Sequence, residues 1–423
     1  MLLDVLMVST SPLSGTKERR ILIVTKSLEK SSRQAKEGVV KMKIVRRTIK
    51  QWISLGLRSI RKKRALISVS NKEGIADFAR ELVALGYQIY SSGNTAKAII
   101  AAGIKATDVS SLVGGKAMLG HKVVTLSRQI AGGLLADKNV PEDVVEVAKW
   151  GLKYFKIVCV DFYPLQKEIA KEGSTPESVR ANTDIGGPLM VRAGAKGRRL
   201  VICDPSDRQK VLDWIRDGEK DESFVDGLAA KAEFTVAKYC SASANYISNG
   251  KYVGIHGIMV ALCKYGENAW QKFAALFSCE TSDLLALDKF VVVEGTTPSY
   301  NNYCDMDRLL QTITHVAAAC DKNLTAIPPI AIGAKHGNPC GAAVGDLTKV
   351  NEEAEVLSKM LAGDPLAIMG GLIMVNFSID VKLAELLVGK MLDGIIAPWI
   401  APEAIEMLKR KGDKCRFITN SAL

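Results

Sequence analysis

Nowhere does the chain hold the ~20 consecutive apolar residues that a membrane helix requires. Its longest apolar runs, such as 395–400 and 326–332, are short or broken by proline. No membrane span is expected, and the chain reads as soluble. Histidine is scarce, with four residues (121, 256, 315 and 336), and the nine cysteines (159, 203, 240, 263, 279, 304, 320, 340 and 415) never stand as C-x-x-C. No metal-ligand spacing results, so no metal is expected and the thiols read as reduced groups of a cytosolic protein. Charge of one sign is missing as well, once the formal net +12 is located. Of 57 Lys/Arg and 45 Asp/Glu, 17 and four fall within residues 1–64, which leaves 40 against 41 in the remainder. The folded body is neutral, so no nucleic-acid partner is expected. Residues 1–63 form a basic leader with three open readings: an organelle transit peptide, a disordered tail, or an upstream start with Met42 as the true one.

What is present suits two or three α/β domains. From Ala65 an apolar run, ALISV, precedes a helical face made by Ile75, Phe78, Ala79, Leu82 and Val83, and this β-then-α pattern repeats. Strands are expected at 87–91, 104–109, 157–161 and 200–203, with a helix over 96–102. A mostly parallel sheet with helices on both faces follows. Ser70 and Glu73 have capping-box spacing, which places Ser70 to Lys72 on a strand-to-helix turn. The charged stretch RDGEKDE (216–222) is the expected linker, separating a domain over 64–222 from one over 223–423. The second again mixes helices (307–319, 351–361) with apolar strands (330–333, 372–375, 394–397).

Two turns, SVSNKEG and SSGNTAK, combine hydroxyls, glycine and lysine at helix N-termini. Such termini offer free N–H groups and the positive end of a dipole, which suits a phosphate monoester; serine-rich turns are also ordinary N-caps. Taken with VDFYPL and DIGGPLMVRAGAKGRR, in this order and spacing, they make residues 64–205 resemble IMP cyclohydrolase, whose fold is methylglyoxal-synthase-like. The resemblance implies closure of the second purine ring: a carboxamide nitrogen attacks a formyl carbon and water leaves, which needs proton transfer at nitrogen and donors at the developing oxyanion. It implies that Tyr163, Asp184 and Lys196 are catalytic, and that Ser70, Lys72, Ser92, Gly93, Thr95, Lys122, Thr125, Gly186 and Gly187 bind substrate. Read without it, Tyr163 is a strand-end aromatic and Asp184 an N-cap. A straight helix over 185–196 would hold Asp184 and Lys196 ~18 Å apart, so either Gly194 and Gly197 end the helix early or a second subunit completes the site.

The family pattern GGRVKTLHP departs here to HKVVTLSR. Val124 stands where the family has a catalytic lysine, and Ser127-Arg128 where it has His-Pro. A strand here would point Lys122 and Val124 to the same face, making Lys122 the better surrogate.

The second domain resembles the N-terminal part of AICAR formyltransferase, an α/β (cytidine-deaminase-like) fold, through KYGENAWQK, SYNNYCDMD, AKHGNPCGAAVG, DPLAIMGG and GIIAPWIAPEAIE. The resemblance implies that Lys335 and His336 are a catalytic pair, the imidazole acting as general base on the amine of AICAR during transfer from 10-formyltetrahydrofolate. Lys264, Tyr265, Asn302 and Gly370 map to substrate-binding positions. Lys264 replaces an arginine able to fork onto phosphate, and Trp270 a histidine. The chain stops at SAL, before the family's folate-site motifs, so an incomplete formyltransferase is expected. AICAR, FAICAR and IMP are the implied nucleotides, a homodimer the implied assembly, and the cytoplasm the implied location. A nucleotide-binding relative without turnover is the alternative.

Overall fold

The computed structural model describes residues 38–115, 117–119, 123–349 and 351–423, with side chains from residue 48 onward. The chain divides after Gly254 into two compact units. The first contains α1 (Gly38–Arg61), β1 (Arg64–Ser68), α2 (Ile75–Ala84), β2 (Gln88–Ser91), α3 (Gly93–Ala101), β3 (Ala106–Asp108), α4 (Arg128–Leu135), α5 (Pro141–Lys149), β4 (Ile157–Val160), the short α6 (Leu165–Ile169) and α7 (Pro176–Ala181), α8 (Gly186–Lys196), β5 (Leu200–Ile202), α9 (Asp207–Arg216) and α10 (Glu222–Ile247). All five strands pair in parallel in the order β3-β2-β1-β4-β5. Alternation along β1 splits the core: Ala65 and Ile67 join Ile75, Phe78 and Leu82 on one face, and Leu66 joins Ile130, Leu134 and Met190 on the other. Burial on both faces is why these strands read as unbroken apolar runs.

Part of the basic leader is folded. Helix α1 contains Met42, and its second half brings Ile53, Leu57 and Ile60 against Val144, Val147 and Leu152. At Gly56 the helices meet backbone to backbone, since a Cβ there would lie 1.9 Å from the Val144 carbonyl oxygen. Ser59 Oγ donates to the Leu152 carbonyl at 3.1 Å, and the buried Arg64 guanidinium donates to the Ser59 carbonyl at 2.9 Å, closing the end of α1. The reading of residues 1–63 as an unstructured leader therefore fails for this helix. A chain position rich in lysine and arginine still carried an apolar stripe one turn apart.

The compact first unit also runs past the expected linker at 216–222. Helix α10 lays Leu228, Ala232 and Val236 on the sheet and on α8, and Lys231 Nζ reaches Asp204 at 2.7 Å and the buried Asp207 at 2.5 Å. Two local expectations change. No capping box forms at Ser70 and Glu73: α2 begins after Gly74, at φ 66°, without a side-chain cap. Among the described residues no strand forms around Val124: Val123 makes a single bridge to Met118, and residues 124 and 125 are bends.

The second unit comprises β6 (Ile258–Leu262), β7 (Ala275–Ser278), β8 (Val291–Glu294), α11 (Tyr300–Asn323), β9 (Ile330–Lys335), β10 (Asn338–Val344), α12 (Glu353–Gly363), β11 (Leu372–Val375), α13 (Val381–Glu385), β12 (Gly394–Ala397), α14 (Pro402–Leu408) and β13 (Arg416–Thr419). Its six-stranded mixed sheet has the order β10-β9-β11-β12-β13-β8. Met306, Leu309 and Ile313 of α11 cover one face, and α12, α13 and α14 cover the other. Strands β6 and β7 form a separate antiparallel ribbon.

Candidate active sites

In the first unit the chain runs outward from β1 in one direction and from β4 in the other, so a crevice opens beyond the carboxyl ends of these two strands. Most of the expected residues of the first site collect there. Thr95 is buried and its hydroxyl donates to the Val69 carbonyl at 3.0 Å while accepting from the Val69 amide at 3.2 Å. Ser68 and Ser92 share a hydroxyl hydrogen bond at 2.6 Å. The two hydroxyl-rich turns are thus joined to each other, with Gly93 at φ 42° at the start of α3. Lys72 curls back, its ammonium donating to the carbonyls of Val69 and, at 3.0 Å, Ser70. Burial lowers its pKa.

Asp184 lies at the start of α8, where helix N–H groups have no partner within the helix. Its Oδ1 accepts from the Gly187 amide at 2.9 Å, and the amides of Gly186 and Tyr163 also stabilise the carboxylate. Its own amide donates to the hydroxyl of Tyr239 on α10 at 2.7 Å. Desolvation nevertheless raises its pKa, with the nearby Asp161 adding to the rise. A Cβ on Gly186 would lie 2.6 Å from the hydroxyl of the buried Thr125, and one on Gly187 2.4 Å from Asp184 Oδ2. Glycine at both positions is what lets the helix start, Thr125 and the carboxylate close together. Tyr163 is exposed beside them. The cap and the half-buried carboxylate are one arrangement: the amides at the helix start fix a group that desolvation biases toward holding a proton.

Lys196 is not brought to this crevice. Helix α8 runs unbroken from Gly186 to Lys196, with Gly197 as its C-cap and Gly194 in its interior, so the expected early end does not occur and ~18 Å separates the lysine from Asp184. Val124 packs as a partly buried side chain against the core cluster of Leu66 and Tyr90. Lys122, the expected surrogate, lies outside the described residues. Arg128 stacks on Trp150, 4.4 Å from the ring centroid. Asp161 was missed. It accepts from the amides of Ser70 and Asn71, the latter at 3.2 Å, and burial raises its pKa. Its place inside VDFYPL, two residues before Tyr163, was the available signal.

In the second unit, Lys335 ends β9 and pairs in register with Asn338, so His336 and Gly337 alone make the hairpin turn, at φ 52° and 73°. Two positive φ values mark a primed hairpin turn, which thrusts His336 into solvent. The Lys335 ammonium donates to the Met369 carbonyl, and a Cβ on Gly370 would lie 3.7 Å from Lys335 Nζ. Beneath the turn, the buried Asp305 of α11 accepts from the Gly337 amide at 2.6 Å. Desolvation raises its pKa, and the nearby His336 and Lys335 oppose the rise. Asp305 also escaped notice, although SYNNYCDMD contains it.

The Lys264 amide donates to the Pro298 carbonyl, and the Tyr300 amide to the Tyr265 carbonyl, at 3.1 and 3.0 Å. These bonds hold the KYGENAWQK segment at the start of α11. Asn302 caps that helix: its Oδ1 accepts from the amide and hydroxyl of Ser299 at 2.9 and 3.0 Å. A cavity of about 400 Å³ lies nearby, bounded by Cys263, Tyr300, Tyr303, Cys304, Asp307 and Gly337 among others. None of the six expected residues of this site lines it.

Two family models match the chain: the AICARFT/IMPCHase bienzyme over residues 195–422 and the MGS-like domain over 74–189. The first spans more than half of the 423 residues. The chain belongs to the AICARFT/IMPCHase bienzyme family. Among its relatives are proteins named bifunctional purine biosynthesis protein PurH. That of Thermoanaerobacter sp. (strain X514) is 34% identical over 358 residues, 82% of this chain and 67% of the relative. That of Deinococcus deserti is 33% identical over 370 residues, with 84% and 68% covered. That of Staphylococcus aureus (strain bovine RF122 / ET3-1) is 32% identical over 351 residues, with 82% and 66% covered. The chain therefore spans about two thirds of the length of these relatives. The printed name of these relatives places them in purine biosynthesis. Among the described residues no helix is long and apolar enough to cross a membrane.

Proposed function

We propose that the crevice of the first unit closes FAICAR to IMP, and that the second unit holds AICAR for formyl transfer from 10-formyltetrahydrofolate. The observation that carries the first half is Asp184: a carboxylate with a raised pKa, fixed by the amides of Gly187, Gly186 and Tyr163 beside two joined turns rich in hydroxyls. Ring closure requires a base at the carboxamide nitrogen and a donor at the oxygen where charge develops. Asp184 takes the first role and the Tyr163 phenol the second. Ser70, Lys72, Ser92, Gly93, Thr95, Thr125, Gly186 and Gly187 surround the nucleotide. In the second unit His336 is the base and Lys335 its cationic neighbour, while Lys264, Tyr265, Asn302 and Gly370 hold AICAR.

The unbroken α8 supports a homodimer, because Lys196 then serves a site other than the one containing its own Asp184. The β6–β7 ribbon supports it too: Ile258, Met259, Val260, Leu262 and Phe277 are all about half exposed, an apolar strip typical of an interface. Neither nucleic acid nor membrane is proposed as a partner, and the cytoplasm is the proposed location.

Val124 favours a second reading, nucleotide binding without turnover, because a core-packed valine cannot donate a hydrogen bond where the family places a lysine. Single-turnover closure of FAICAR separates the two. Deleting one oxyanion donor typically slows a reaction about 100- to 1000-fold, so Val124→Lys should raise the rate at least about tenfold, ~1.4 kcal/mol. If Lys122 has taken over, Lys122→Ala abolishes most activity instead and Val124→Lys does little. Asp184→Asn is damaging on either route; a rate unchanged by it means that the inherited mechanism is not in use and makes the binding reading the better one.

A further inference from the structure

Arg208, on the first turn of α9, is buried and takes no part in the site described above. Its Nη1 donates to the Glu73 carbonyl at 2.7 Å across 135 residues of sequence, and its Nε has no partner. A Cβ on Gly74 would stand 3.7 Å from the same Nη1, so the guanidinium lies directly against the end of the SVSNKEG turn. Asp161 holds the other end of that turn through the Ser70 and Asn71 amides. The two side chains also bear on one another: Arg208 favours the charged form of the Asp161 carboxylate and hydrogen-bonds the buried thiol of Cys159, two residues before it. A guanidinium and a carboxylate from two distant segments therefore grip the turn from both sides.

We propose that Arg208 is a positioning residue of the nucleotide site: with Asp161 it clamps residues 70–74, so that the Ser70 and Lys72 edge is fixed before a nucleotide arrives. This rests on the reading that the turn contacts the nucleotide. Preset loops bind more tightly because their ordering is not charged against the ligand. A charge-assisted hydrogen bond to a backbone carbonyl is among the stronger ways to fix one. The groups facing Asp161 are Lys72 from its own turn, Arg208 from α9 and Asp184 from the start of α8. Removing Arg208 takes away one of two cations there and leaves Asp184 opposing ionisation. The acid side of the binding profile then moves to higher pH.

The test titrates IMP against the full chain between pH 5 and 8, with thermal unfolding and amide exchange at Ser70 and Asn71 measured without ligand. Arg208→Met should weaken IMP binding at least about tenfold near pH 7, speed exchange at both amides and shift the acid limb upward, while Arg208→Lys recovers part of each. Asp161→Asn, which leaves Arg208 in place, should also speed exchange at both amides and should abolish the acid limb; it guards against an Arg208→Met chain that does not fold. Wild-type affinity and exchange in either folded variant overturns the clamp. A wild-type chain that binds no IMP at millimolar concentration overturns the reading on which the clamp rests, and is told apart by the wild-type titration alone.

Discussion

Gly187→Ala separates Asp184 as a cap from Asp184 as a base. The added methyl would lie 2.4 Å from Asp184 Oδ2 and 2.9 Å from Phe162 Cδ1. An ordinary carbon–oxygen contact needs roughly 3.2 Å or more, so the carboxylate must retreat by about 0.8 Å. Misplacing a reacting group by about 1 Å costs on the order of 100-fold in rate, equivalent to ~2.7 kcal/mol of barrier. Stability works in the other direction, since alanine exceeds glycine in helix propensity by up to ~1 kcal/mol. The expected result is a folded protein with a melting temperature within a few degrees of wild type and FAICAR closure about 100-fold slower in a single-turnover assay. A folded Gly187→Ala chain closing FAICAR at the wild-type rate would refute the reasoning, because a misaligned cap is tolerable and a misaligned base is not.

Asp184→Asn should trade rate for stability. A carboxyl whose folded pKa is raised binds more protons folded than unfolded, so it destabilises the fold above the unfolded pKa and that penalty disappears below it. The asparagine chain, still a competent cap, should therefore melt higher than wild type at pH 7, with the gain vanishing toward pH 3. Gly56→Ala should lower the melting temperature of the first unit despite the better helix former: a Cβ 1.9 Å from the Val144 carbonyl oxygen forces α1 off α5. Overpacking of this kind costs ~1–3 kcal/mol, and an unchanged melting temperature would mean that α1 contributes nothing to the fold. His336→Gly should stabilise the second unit by about 0.5–1 kcal/mol in denaturant unfolding, because φ 52° strains any residue with a Cβ. The same variant should lose formyl transfer, as expected of a base held in a strained turn.

The sheet was legible because its information is local. Apolar runs at 65–69, 157–160, 330–333, 372–375 and 394–397 all became strands, and turn chemistry placed Ser70 to Lys72 and Ser92 to Thr95 at carboxyl ends. Much of the candidate site was legible through motif order, and the structure gathers the two turns, Tyr163, Thr125 and Asp184 at one crevice. What escaped depends on distant partners. Ser70 and Glu73 have the spacing of a capping box, yet the Ser70 amide goes to Asp161, 91 positions away. Helix α1 was hidden because a charge count ignores the stripe Ile53, Leu57 and Ile60. Asn302 shows the reverse case, a motif residue whose carbonyl oxygen is spent on capping its own helix.

The Tyr239 hydroxyl that receives the Asp184 amide belongs to α10, within the stretch matched by the bienzyme family model from residue 195, while the MGS-like match ends at 189. The halves of this protein therefore do not part where their sequence families meet. A cut at the charged stretch 216–222 would leave the first unit with a sheet stripped of Leu228, Ala232 and Val236, and an aspartate without its tyrosine.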